Sequence, residues 1–389
     1  MPLDLASLAR QTRLAGEETA GRELELALRV DEAVGRLRAL AWDEVAARVE
    51  ARRARPWLVG VPLEPMAAHH PAPAEPESYT VVSTDGSHVD HDHHGPLPCF
   101  LINVGAVAIR YGADPSARLE TRSWLGYRPE DLHFVHGQYR LRVQGQLLNV
   151  RRQVAEIEAL AELCEAFPGA VALVDGTLVL TSISRSIQEE PSYFLSEYLT
   201  LLDRIQASGA VLASYISRPS SSEAVSALRI GVCPVEECDR RCRLGEPSER
   251  PCARLADLLD RALFAATELG PGGRTGLWRS LWPTSEQHYR EHRVHFFYFD
   301  AGVELARVEV PGWVASSPAA MARLHAALVA QSARGDDGYP RVLIEAHHKA
   351  VITAGDRRVF EALLDQALAG RGYASLPSAK ERAKRRRAV

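Results

Sequence analysis

The chain has 389 residues, 46% hydrophobic and 25% charged, with a net charge of -4; this is the balance of a soluble globular protein with one large core or two coupled ones. No apolar run approaches the roughly 20 residues of a membrane helix, and the opening MPLDLASLARQTRLAGEE turns polar too early for a secretory signal, so a cytoplasmic protein with no membrane contact is expected. The charge excludes a uniformly basic coat for nucleic acid but leaves room for a local basic channel.

Residues 1–60 read as an N-terminal helical arm: Ala, Leu, Glu and Arg dominate, and Leu24, Leu28, Val30, Val34, Leu37 and Leu40 partly keep a helical apolar spacing. Such an arm packs on the core as a surface helix or serves dimerisation. A Pro-rich linker over 61–78 marks a boundary. From Tyr79 the character changes. TVVSTD is a short β run closed by Gly86, CFLINVGAVAIRY (99–111) a buried strand, and ARLETRSWLGY a third strand. A helix from about 140 to 167 follows, with Leu147, Val150, Val154, Ile157, Ala161 and Cys164 on one stripe and Pro168–Gly169 at its end. AVALVD is the continuous apolar strand expected at the centre of a sheet covered on both faces. A helix near 191–208 then leads into the strand AVLASYIS.

Three strands, helix, strand, helix, strand is the α/β order of a ribonuclease H-like mixed sheet flanked by helices. That nuclease domain is expected to run over 79–370, with a Cys-bearing insertion at 231–255. Within it HFFYFD and VELARVEV read as strands, 317–333 as a helix, RVLIEA as a strand and 356–369 as a helix. Residues 371–389 form a basic tail, more a solvated end than a specific site, though AKRRR can add nonspecific DNA affinity.

Asp85 in VVSTDGS and Asp175 in VALVDGT each follow a hydrophobic β run and precede a glycine. Alone, either is an ordinary turn signal. Together, on the first and fourth strands of this order, they can project from one sheet edge, where the glycines admit a close ligand. Carboxylates so placed can hold two divalent ions about 4 Å apart for phosphodiester hydrolysis, and hard oxygen donors suit Mn²⁺ or Mg²⁺. A third acid would come from the intervening helix, where Glu156, Glu158 and Glu162 all flank the apolar stripe.

TDGSH, VDGT, SYISRPSSSEAVSALR, GGRTGLW and YPRVLIEAHHKAVIT, spread over roughly residues 80–365, resemble the successive blocks of the NurA family of DNA-end-processing nucleases. The resemblance implies a ribonuclease H-like core, Mn²⁺, and a homodimer docked on the hexameric HerA-type ATPase. It also implies 5′–3′ exonuclease and single-strand endonuclease action in double-strand-break repair. Its active-centre pattern falls on Asp85, Glu156, Asp175, Tyr339 and His347, with Glu158 and His348 as the neighbouring choices for the acid and the imidazole. Asp85, Glu156, Asp175 and His347 would then be metal ligands. His347 could instead serve as a proton donor, and Tyr339 could orient a phosphate or the attacking water.

Cys233, Cys238, Cys242 and Cys252 cluster in the insertion, as expected for a structural Zn²⁺ or iron–sulfur cluster, for disulfides, or for unligated thiols. Cys99 and Cys164 lie in apolar stretches and read as core. The loop HVDHDHHG packs four His and two Asp into eight positions, of which His88 stands closest to Asp85. Arg218, at the end of AVLASYIS, and Arg274, among glycines, are candidate phosphate contacts or surface ion pairs. The run Phe296–Phe299 offers stacking for single-stranded bases, but a strand sends at least half of it to the core. The rival functions are a ribonuclease H-like RNase and a non-catalytic DNA-end-binding adaptor, the latter binding DNA without Mn²⁺ and never shortening it.

Overall fold

A β-branched run and its neighbours make Tyr79–Val89 (β1) the middle of a run of five adjacent strands. The computed structural model that shows this describes residues 3–52, 57–90, 97–136, 139–180, 191–233, 250 and 252–370. Their contacts divide them into two units, one from 1–74 with 215–316 and one from 75–214 with 317–389. In the second unit, Phe100–Tyr111 (β2) and Ser116–Gly126 (β3) follow β1 as an antiparallel meander. A separate small hairpin pairs His133–His136 (β4) with Tyr139–Arg142 (β5). Next come the helix Gln146–Ala166 (α1), the strand Val171–Asp175 (β6), the helix Pro191–Ala207 (α2) and the strand Val211–Ile216 (β7). The sheet order is β7-β6-β1-β2-β3, and β6 runs parallel to β1. Buried on both sides, β1 shows only buried residues from Val81 to Thr84, and β6 only buried ones from Val171 to Val174. The helices Pro318–Arg334 (α3), Arg341–Ala350 (α4) and Ala354–Ala369 (α5) complete the unit.

Several expectations change here. The strand read as closing at Gly86 continues to Val89, because β2 pairs with it as far as Val89↔Leu101; Asp85 is therefore mid-strand towards β2. The helix expected from 140 begins at Gln146, after Gly145 turns the chain at φ +54, and Tyr139–Arg142 is strand. RVLIEA is helix, not strand. Val342, Leu343, Ala346 and Ala350 are its buried positions, an α-helical stripe that a six-residue run with four apolar letters does not reveal by itself. Arg341 and Glu345 pair across one turn of it.

The other unit holds the long helix Leu5–Ala39, the helices Trp42–Ala51 and Glu223–Val232, and a sheet of Gly60–Pro62, Trp278–Ser280, Val294–Asp300 and Leu305–Pro311. Its core gathers Leu37, Val49, Leu228, Phe264, Trp278 and Phe296. The arm expected over 1–60 thus packs by its second half, while Leu5, Leu14, Leu24 and Leu28 are exposed. The expected linker contains folded chain, since Gly60–Pro62 pairs with Trp278–Ser280 and His69–His70 with Arg274–Thr275. The single domain expected over 79–370 is likewise interrupted, because its 215–316 stretch belongs with the N-terminal residues. No helix among the described residues is long and apolar enough to cross a membrane.

Candidate active site

The parallel β1–β6 pairing ends at Thr84↔Val174, so the next residues, Asp85 and Asp175, stand side by side at the carboxyl end of that pair. Ligands of α/β sheets collect in crevices at that end. Alternation along β1 sends neighbouring residues to opposite faces. Thr84 and Gly86 face α1, where Thr84 Oγ1 donates to the Glu156 carbonyl at 2.8 Å. Asp85 and Ser87 face α4, where Ser87 Oγ donates to the Ala350 carbonyl.

Glu156 reaches the aspartates through the space that Gly86 leaves open. A Cβ at Gly86 would lie 2.3 Å from Glu156 Oε1. The sequence signal of a glycine after Asp85 is therefore real, but its reason is a window for a helix carboxylate rather than a turn. Glu158, two residues on, is exposed. Burial pushes the Glu156 carboxyl up to about 7; Arg152 pulls against that rise, and the charges of Asp85 and Asp175 add to it. Arg152, one turn before Glu156, holds Glu156 Oε1 and also donates to the Gly86 carbonyl at 3.1 Å and the Asn149 side chain at 2.8 Å. Arg152 is a site residue not among those expected from the sequence; its signal is the i, i+4 spacing to Glu156.

α4 approaches equally closely on the other face. Gly105, the β2 partner of Asp85, has no Cβ, and one there would lie 2.5 Å from the Ala346 carbonyl oxygen. The last carbonyls of α4 are taken by the sheet. Asn103 Nδ2 donates to Ala350 O at 2.8 Å and Thr121 Oγ1 to Lys349 O at 3.1 Å, with Ser123 Oγ on Asn103 Oδ1 at 2.7 Å fixing the amide. So held, α4 brings His347 Nδ1 to 2.9 Å from Asp85 Oδ2, where it donates to the carboxylate. Asp85 Oδ1 accepts from the Gly86 N–H at 2.8 Å. The structure gives His348 no such bond to Asp85, though its ring lies 6.5 Å from that of His347. Tyr339, just before α4, hydrogen-bonds the Asp175 carboxylate. Loss of water contact raises the Asp175 carboxyl, and the nearby Asp85 charge adds to this; Tyr339, the Gly176 N–H and His347 act to lower it. Asp85, Glu156, Asp175, Tyr339 and His347 are thus brought together in one unit.

The remaining candidates lie elsewhere or beyond description. His88 is half-buried in β1, its imidazole held low by burial and by the Arg152 charge; His91, Asp92, His93 and His94 lie outside the described residues. In the other unit Arg218 is exposed at φ +45. Arg274 is buried there, with its guanidinium 5.4 Å from the Phe297 ring and Nη1 on the Thr275 carbonyl at 2.9 Å. Arg274, expected at the surface as a phosphate contact or ion pair, is thus found packed inside its unit. All four aromatics of Phe296–Phe299 are fully buried, so the base-stacking option for them is lost to the core. Cys233 and Cys252 are buried, while Cys238 and Cys242 lie outside the described residues. Cys99 and Cys164 are core thiols, and burial pushes Cys164 up to about 12.

The family model described as the NurA domain matches residues 79–352, most of the chain. No curated protein and no solved structure matches it.

Proposed function

The chain belongs to the NurA family, a family of metal-dependent nucleases, and on that premise we propose that it is a Mn²⁺- or Mg²⁺-dependent deoxyribonuclease that processes DNA ends. The observation that carries this reading is the convergence of Asp85, Glu156 and Asp175 with His347 and Tyr339 where the β1–β6 pairing stops. The β1 strand is central, the meander lies on one side of it and β6–β7 on the other. That arrangement supports the ribonuclease H-like assignment.

Three carboxylates and one imidazole make a donor set that fits hard divalent cations. Burial raises the Glu156 carboxyl against the pull of Arg152, and the Asp85 and Asp175 charges add to the rise. Asp85, Glu156, Asp175 and His347 would hold a pair of ions, which when bound would activate water and neutralise charge at the scissile phosphate. The chain's own groups do the positioning. Tyr339 orients the Asp175 carboxylate. His347, fixed through Nδ1 on Asp85, keeps Nε2 for an ion or for a proton passed to the leaving oxygen. Arg152 holds Glu156 over Gly86, and exposed Arg218 remains a candidate phosphate contact.

Further parts of this reading come from the family resemblance. They are 5′–3′ exonuclease and single-strand endonuclease activity in double-strand-break repair, a homodimer, a HerA-type hexameric ATPase as partner, and a cytoplasmic location. A structural Zn²⁺ or iron–sulfur cluster at Cys233, Cys238, Cys242 and Cys252 belongs to the proposal too. The test is Mn²⁺-dependent digestion of end-labelled DNA beside matched RNA. Asp85→Ala and Asp175→Ala should each lose cleavage by about a thousandfold or more with the melting temperature kept. Retained metal-dependent cleavage in either variant overturns the reading.

A further inference from the structure

On the flank of α1 a cavity of about 370 Å³ opens between β4, α1 and α2. Its apolar side is an aromatic group: the Phe134 ring lies 5.6 Å from Tyr193 and 4.9 Å from Phe194, and Tyr193 lies 5.5 Å from Phe194. Phe194 is core, whereas Tyr193 is 53% exposed and keeps a ring surface open to solvent. The polar side is formed by Glu130, Arg151 and Glu197. Arg151 also lies over the Trp124 ring, 5.2 Å from its centre, and Trp124 is itself exposed. Burial raises the Glu197 carboxyl, against the pull of the Arg151 charge.

Arg140 reaches the edge of this cavity, its guanidinium 3.4 Å from His133 Nδ1. The β4–β5 register sets Arg140 across from Val135 and Arg142 across from His133, and both arginines are exposed. Arg128 stands over the exposed Tyr127 ring at 5.8 Å. An open aromatic face with donors, acceptors and cations at its edge matches a flat heterocycle on an anionic backbone. Arg151 and Arg152 are consecutive on α1, and Arg152 is on Glu156. Arg151 precedes Glu156 by five residues, about 7.5 Å along the α1 axis and roughly 140° around it, so a strand seated in the cavity must round that helix to reach the carboxylates.

The geometry points to a subsite for an unpaired nucleobase, stacked on Tyr193 and met at its edge by Arg151, that holds single-stranded DNA as it passes the Asp85–Asp175 site. The inference rests on the nuclease reading of that site for its choice of ligand. A base can enter only when it is unpaired, so the subsite favours single strands over intact duplex.

The test uses the full chain carrying Asp85→Asn, without metal, titrated by fluorescence anisotropy with a labelled single strand of roughly twelve nucleotides. Adding Tyr193→Ala should weaken binding about tenfold, leave the salt dependence unchanged, and leave binding of a blunt duplex unchanged. Arg151→Gln should weaken single-strand binding as well. A strand made abasic throughout should bind the parent as weakly as the normal strand binds Tyr193→Ala, with no further loss when the two changes are combined. Tyr193 is exposed, and an unchanged melting temperature confirms that its variant folds. Equal single-strand affinity with and without Tyr193→Ala overturns the inference, and a cavity that docks a peptide would give that result. So would absence of single-strand binding by the parent. Base-dependent binding beside a wild-type chain that cuts nothing upholds the subsite and removes only the nuclease reading.

Discussion

Each of the two units contains three clustered carboxylates with an arginine bonded into the cluster, and the two clusters have opposite fates. In the unit built from 1–74 and 215–316, Arg307 bonds Glu223 at 2.8 Å and Glu309 at 2.9 Å. Asp260 there accepts from the Val225 and Ala224 N–H groups at 2.9 and 3.1 Å and from the Tyr298 hydroxyl at 2.8 Å. These N–H groups open the helix Glu223–Val232, whose dipole favours the anion. Arg307, Glu223 and Glu309 are each 3% exposed and Asp260 fully buried. In the other unit Arg152 bonds Glu156, while Asp85 pairs with His347 and Asp175 with Tyr339; Asp85 is 21% and His347 62% exposed, so that side of the set opens to water. Clustered acids alone therefore do not mark a site. The difference lies in whether fixed N–H and O–H donors close the cluster or solvent is left room that an ion could take.

The largest effect that follows is on the sealed cluster. Arg307→Met leaves buried carboxylates without their cation, and breaking such a set costs about 3–5 kcal/mol. Arg152→Met should cost less than that, because Glu156, though only 12% exposed, is held near 7 and can take up a proton when its cation is lost. Urea denaturation of both variants in the absence of divalent ions measures the contrast. Comparable losses would mean that the second cluster is structural like the first.

A smaller effect separates how the two sets are positioned. Glu156 lies where Gly86 has no Cβ, and the atom a Gly86→Ala methyl meets is the end of a flexible side chain. The fold should absorb that change within about 1 kcal/mol. A carboxylate displaced by about 1 Å should nonetheless cost cleavage roughly a hundredfold. Single-turnover digestion alongside a melting curve reads both quantities. Unaltered cleavage in Gly86→Ala would show that Glu156 does not need that position.

The same contrast explains what the sequence could and could not disclose. Strands carrying Asp85 and Asp175 were legible because continuous apolar runs are local, and the alternation of strands and helices fixed their neighbours. The third acid could be narrowed to the helix but not chosen, since facing Gly86 depends on how α1 sits against β1. Arg274 and the outward half of Phe296–Phe299 read as surface chemistry because an arginine among glycines and a run of aromatics look alike whether exposed or buried. RVLIEA read as strand because short apolar runs suit either structure; its buried positions 342, 343, 346 and 350 become visible only when the run is extended to Ala350. The folding of 61–78 depends on partners more than two hundred residues away, and no local composition reports them.

The smallest effect concerns pH, and its sign distinguishes the clusters again. Burial holds Glu156 at about 7, above its ordinary 4.5. In the metal-free protein this group's contribution to stability is fully present below its unfolded value and is lost as pH rises through 7. A cation needs the ionised carboxylate, so the proton competes with it. Mn²⁺ affinity should rise up to about tenfold per pH unit below 7 and flatten above, with a proton released on binding at pH 6. Calorimetry at pH 6 and 8, in buffers of different ionisation enthalpy, counts that proton, and Glu156→Gln should abolish most of the dependence. The sealed cluster supplies the control. Asp260 and Glu223 are also raised by burial, yet both are closed from solvent, so Glu223→Gln should leave the pH dependence of Mn²⁺ binding as it was. If Glu223→Gln changed it as much as Glu156→Gln, the contrast between a closed and an open carboxylate cluster would fail.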